Sequence, residues 1–139
     1  MTKRRVLVAG ATGLVGKAVI EHLLTEGEAD VIAVSRRDPH LPGALHLALD
    51  LTDAAACRER LAGLSGITHV VFAALYEKPE LVAGWRDPQQ MAVNRAMLAN
   101  LLDAVEPNAP DLRHVALLQG TKAYGVHVEP IRVPAKERW

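Results

Sequence analysis

The run Val6-Leu7-Val8-Ala9 leads straight into Gly10-Ala11-Thr12-Gly13-Leu14-Val15-Gly16, and an amphipathic stretch follows. A β-branched apolar run, a glycine-rich turn and a helical pattern in that order predict the first strand–turn–helix unit of an α/β fold. Each glycine has a physical reason to be there. Gly10 lets the backbone turn sharply off the strand, and Gly13, lacking a Cβ, lets the main chain approach a diphosphate. Gly16 allows the helix to pack closely on the sheet. Free N–H groups and the positive end of the helix dipole then face an anion, and Thr12, Gly13, Leu14 and Val15 are read with the glycines as cofactor-binding.

The remaining chain repeats the alternation. A first helix is expected from Gly13 to Glu26, with Leu14, Val15, Ala18, Val19, Leu23 and Leu24 as its apolar positions and Gly27 as its C-cap. Val31-Ile32-Ala33-Val34 reads as a second strand and Ala44–Leu49 as a third, with Thr52-Asp53 able to cap a short helix that runs to about Leu61. Thr68–Ala74 is the fourth strand, Gln89–Val105 a helix, and His114–Leu118 the fifth strand. Five strands interleaved with helices predict a doubly wound parallel sheet in the order 3-2-1-4-5.

In 139 residues, half of them hydrophobic, there is enough apolar side chain for one core. Sixteen basic and sixteen acidic residues cancel, with no cationic stretch to favour nucleic acid or a membrane surface. Cys57 has no second cysteine to pair with, which points to a reducing, cytoplasmic setting and a small buried thiol. The histidines have no ligand spacing, so no metal is expected.

Ligands of such sheets sit beyond the carboxyl ends of the strands, at the switch point between the first and fourth. The loop after strand two meets the adenosine ribose. Ser35-Arg36-Arg37 stands there in place of a carboxylate, and two guanidiniums beside a hydroxyl suit a 2′-phosphate, favouring NADPH over NADH. Asp38 argues the other way, since it can bond a ribose if the loop is longer. Asp50 and Leu51 end strand three. Asp50 either accepts the adenine amino group, with Leu51 covering the ring, or simply leads into the next helix. Ala73-Ala74 is small enough to admit the nicotinamide ribose, and Asn94 is a candidate for holding backbone near the site. Gln119 opens the loop beyond strand five and is read as cofactor-binding. Lys122, further along that loop, can orient ribose hydroxyls and lower the pKa of a neighbouring phenol.

Taken together, Gly10-x-x-Gly13-x-x-Gly16, Ser35-Arg36-Arg37, Thr68-His69-Val70-Val71-Phe72 and the run from Asn94 through Leu101-Leu102-Asp103-Ala104-Val105-Glu106-Pro107-Asn108 to Gln119-Gly120-Thr121-Lys122-Ala123-Tyr124 resemble a known group. It is the extended and atypical short-chain dehydrogenases/reductases of the epimerase/dehydratase type, and within it the progesterone 5-beta-reductase/iridoid synthase-like family. The resemblance implies a Rossmann fold and NADPH-dependent reduction of the C=C bond of an enone or enal. It also implies a small carbonyl-containing substrate whose oxygen is held by a tyrosine and a lysine. Lys122 matches that lysine. The catalytic tyrosine of the family lies downstream of Trp139, and Tyr124 matches a different one. Gly120 stands where ordinary short-chain dehydrogenases carry Ser or Thr. Residues 1–125 are therefore expected to form the dinucleotide-binding domain, and 126–139 an irregular tail leading toward an absent substrate-binding part. Strand five would be left as an open edge, available for pairing with another copy. Two alternatives stand beside this reading: a non-catalytic dinucleotide sensor and a fragment of a nucleotide-sugar epimerase or dehydratase.

Overall fold

The computed structural model describes residues 3–125, 128–134 and 136, and for Thr121 and Lys122 the backbone alone. Strands β1 (Arg4–Ala9), β2 (Ala29–Ser35), β3 (Leu45–Ala48), β4 (His69–Phe72) and β5 (His114–Leu117) form one parallel sheet in the order β3-β2-β1-β4-β5. Helices α1 (Leu14–Glu26), α2 (Ala54–Ala62), the short α3 (Leu81–Gly84) and α4 (Pro88–Val105) fill the connections. This is the doubly wound order expected from the alternation of strand and helix patterns.

Successive residues of a strand face opposite sides of the sheet, and β1 shows what each side buries. Val6 and Val8 join Ile20 of α1 and Val31 and Ala33 of β2. Leu7 and Ala9 join Ile32, Val34, Val70 and Phe72 under Cys57 and Leu61 of α2 and Leu101, Ala104 and Val105 of α4. A central strand buried on both faces needs a continuous apolar run, which is why the alternation signal is missing there.

Local signals set the helix ends. Gly27 closes α1 in the left-handed conformation (φ 69°), its N–H bonded to the Leu23 carbonyl. Asp53 caps α2 by accepting the Ala56 N–H at 2.9 Å. The stripe of α1 differs from the expectation. Leu14 is 90% exposed and Val15 47%, while Ile20 is fully buried. Leu14 and Val15 precede the point where the helix meets the sheet, so their apolar surface faces the cleft described below. Asn100 Nδ2 donates to the Leu51 carbonyl at 2.8 Å and ties α4 to the end of β3.

At the amino ends of the strands, His69 and His114 are register partners with ring centroids 6.4 Å apart. Partial burial, followed by the charges of Arg4, His114 and Arg113, lowers the His69 pKa. The unfolded chain therefore takes up this proton more readily than the folded one. Stability should be unaffected above about pH 6.5 and fall as the pH drops through the lower folded-state value. Urea midpoints at pH 7.5 and 5.5 should show that loss, and His69→Gln should shrink it. An identical loss in the variant would remove His69 as the cause.

Candidate functional site

The glycine turn is built by close approach of backbone to backbone. Gly10 has φ +86°, and a Cβ there would lie 2.6 Å from the Ala73 carbonyl and the Ala74 nitrogen, just beyond β4. A Cβ on Gly16 would strike the carbonyl group of Gly10. Gly16 therefore closes the turn on itself, a tighter constraint than the helix-on-sheet packing expected of it. Gly13 is different, since its Cβ would meet only the Gly10 oxygen at 3.4 Å.

The amides of this turn divide into two groups. Those of Gly10 and Ala11 bond the Val34 carbonyl, that of Gly13 bonds the Gly10 carbonyl, and that of Lys17 bonds the Gly13 carbonyl. The amides of Thr12, Leu14, Val15 and Gly16 have no acceptor among the described residues, and the N-cap Gly13 has no side chain to offer one. Unclaimed donors at a helix N-terminus, with no acidic residue in its first turn, form an arrangement suited to an anion.

Above the turn lies a cleft of about 840 Å3 over the carboxyl ends of the strands. Its lining includes Gly10, Thr12, Gly13, Leu14, Val15, Ser35, Arg36, Asp50, Leu51, Ala73 and Ala74. Eleven of the residues singled out from sequence thus converge on one space. Gly16 sits behind the turn. Arg37 lies outside the cleft, in an adjoining recess with Thr12, Lys17, Asp38, Pro39 and His40. Gln119 is exposed and is not part of the cleft lining. The backbone of Lys122 lies in a 3-10 turn (Thr121–Tyr124), and its side chain is outside the described residues.

The loop beyond β2 is fixed by Ser35. Its hydroxyl donates to the Arg37 carbonyl at 2.6 Å, and His46 Nε2 lies 3.2 Å from the Ser35 carbonyl. The hydroxyl proton is thus engaged in shaping the loop that presents the two arginines. Asp38 accepts the His40 N–H at 2.7 Å, which folds its carboxylate back onto its own loop. Asp50 accepts the Thr52 hydroxyl at 2.7 Å and the Thr52 N–H at 2.9 Å. Those bonds, with a further contribution from the Arg36 charge, hold its carboxyl below the usual range. The Cys57 thiol is driven the other way by burial, which disfavours its thiolate.

Beyond β4 the chain runs along α4. Asn94 Oδ1 accepts the Tyr76 N–H and its Nδ2 donates to the Tyr76 carbonyl, both at 2.8 Å. The backbone-holding role expected of Asn94 is thus what the structure contains. Leu75, Tyr76, Glu77, Val93 and Met97 complete this side of the cleft and were not anticipated. Residues 75–88 carry no periodic signal, and only their docking on α4 brings them to the site. Val34, Leu49 and Thr52 were also missed, although each adjoins a residue that was named.

Residues 6–138 match the family described as NAD dependent epimerase/dehydratase. The chain belongs to that family. Among curated relatives, it is 34% identical to a 3-oxo-Delta(4,5)-steroid 5-beta-reductase of Arabidopsis thaliana, over 85% of this chain and 31% of that protein. It is 31% identical to an (S)-8-oxocitronellyl enol synthase of Antirrhinum majus, over 85% of this chain and 30% of that protein. The chain thus spans about a third of the length of these relatives. The Bordetella bronchiseptica enzyme WbmH, solved with NAD+, shares the fold with a TM-score of 0.73 at 23% identity, over 96% of this chain and 44% of that one.

Proposed function

We propose that this chain is the NADPH-binding portion of a short-chain-type oxidoreductase that reduces the C=C bond of an enone or enal. The observation that carries the cofactor reading is the pairing of the open amides at the glycine turn with two arginines beyond β2, where the Asp38 carboxylate is bonded back to the His40 N–H. The dinucleotide, when bound, supplies the hydride. On this reading the amides of Thr12, Leu14 and Val15 hold the diphosphate, and Gly10 and Gly16 keep the turn narrow enough to expose them. Arg36 on the cleft and Arg37 in the recess that adjoins it at Thr12 flank the place of the 2′-phosphate from two sides. Leu49 and Leu51 supply an apolar bed for adenine, and the small Ala73 and Ala74 admit the nicotinamide ribose. Lys122 is the residue carried over from the family resemblance for orienting ribose hydroxyls and the substrate oxygen. The substrate class rests on the 5-beta-reductase and enol synthase relatives.

Titration of NADPH and NADH into the chain tests the cofactor reading. NADPH should bind the tighter of the two. Arg36→Ala and Arg37→Ala should each weaken NADPH roughly tenfold while leaving NADH nearly unchanged. Equal affinities in the unaltered chain would overturn the preference, and a complete lack of binding would overturn the cofactor reading.

A further inference from the structure

Gln90 is one of three buried polar or charged side chains among the described residues, at 8% exposure. It lies on α4 one turn before Asn94. Its Oε1 accepts the Lys78 N–H at 2.9 Å, and Asn94 holds both backbone groups of Tyr76. The two amide side chains therefore grip alternate residues of one extended segment, as a neighbouring strand would. Asn94 Nδ2 also reaches the Gln90 carbonyl at 2.9 Å, and Lys78 Nζ pairs with Asp87, the N-cap of α4. Gly84 of α3 packs against the Gln90 amide, and a Cβ there would overlap Oε1. The absent side chain at Gly84 leaves Gln90 room to reach Lys78.

We propose that Gln90 is a positioning residue. Acting through the Lys78 backbone, it sets the wall made by Leu75, Tyr76 and Glu77 against the nicotinamide-ribose half of the cofactor. The inference rests on the cofactor reading above. The strand order assigns the two halves of the ligand. Loops beyond β2 and β3 lie on one side of the glycine turn and take the adenosine half, so the loop beyond β4 meets the other half. Removing the Gln90 acceptor leaves a Lys78 N–H unpaired and frees the wall to shift. The adenosine side, built on other elements, is untouched.

Two probes separate these halves: NADPH and 2′,5′-ADP, which lacks the nicotinamide ribose. Both are titrated into the 139-residue chain. Gln90→Leu should weaken NADPH roughly tenfold and leave 2′,5′-ADP unchanged. Gln90→Glu retains an acceptor oxygen and should keep more of the NADPH affinity than Gln90→Leu, again with 2′,5′-ADP unchanged. Gly84→Ala should reproduce the NADPH-selective loss although alanine favours the helix, because its methyl displaces the Gln90 amide. Equal losses for both probes would show a general folding defect and overturn the proposal, as would unchanged NADPH affinity in Gln90→Leu. If the unaltered chain binds 2′,5′-ADP but NADPH no more tightly, the wall has no contact with the nicotinamide half and the positioning role fails alone. If it binds neither probe, the cofactor reading fails as well.

Discussion

Gly16→Ala should unfold the turn that the cleft is built on. The new methyl would lie 2.7 Å from the Gly10 carbonyl carbon and closer still to its oxygen, and both belong to main chain held from the other side. Gly10 has little room to move, because it lies so near the backbone of Ala73 and Ala74 that even a Cβ built on it would come within 2.6 Å of them. The strain must be relieved by lifting α1 away from β1 and opening the core around Ile20, at a cost on the order of 2–4 kcal/mol. A urea melt should show the lowered midpoint, and NADPH titration the loss of binding. Gly13→Ala makes the contrast. Its Cβ has only ordinary contact at 3.4 Å and its backbone is extended (φ −79°, ψ 164°), so the fold should survive with a nearly unchanged midpoint. Binding of the diphosphate should still weaken, because the methyl stands where the ligand approaches. A native-like midpoint for Gly16→Ala would refute the account of the turn.

Leu101→Ala should cost about 2–5 kcal/mol, a large part of the stability of a domain this size. Leu101 is fully buried, in the cluster where α4 and α2 meet the sheet. The cluster around it includes Leu7, Ile32 and Val70 of the sheet, with Met97 and Leu98 one turn earlier on α4 partly buried against it, so the cavity should relax chiefly by a shift of α4. Because α4 also carries Asn94 and Gln90, that shift should reach the wall of the cleft. Chemical denaturation measures the first effect. Leu101→Met, which keeps the volume nearly constant, should recover most of the loss. A midpoint shift in Leu101→Ala no larger than that of an exposed substitution would contradict this packing.

The readable parts of the fold were those whose cause lies within a few residues. Gly27, Asp53 and the apolar runs of β1 and β2 act through local backbone geometry and burial on both faces, and the structure places them as their chemistry requires. Position relative to strand ends was enough to collect eleven residues around one cleft. The errors arose where a side chain's role depends on what comes near it from elsewhere. Leu14 and Val15 fit the helical spacing of a core, yet they stand on the first turn of α1 beyond the carboxyl end of β1, where they line the cleft. Arg36 and Arg37 are adjacent in sequence but point into different recesses, because successive residues leaving a strand diverge.

By itself the sequence determined the alternation of strand and helix, the parallel sheet that this implies, and the glycine turn, because periodicity, caps and missing Cβ atoms are properties of short segments. Only the tertiary structure decided that Gly16 answers to Gly10 and Gly10 to Ala73, and that Gln90 reaches Lys78 through the space left at Gly84. Gly10 and Ala73 lie far apart in the chain, and the nearer pairs, Gly16 with Gly10 and Gln90 with Lys78, meet through packing and not through periodicity. Their distances come from the packing of α1 and α4 against the sheet, which no local pattern encodes.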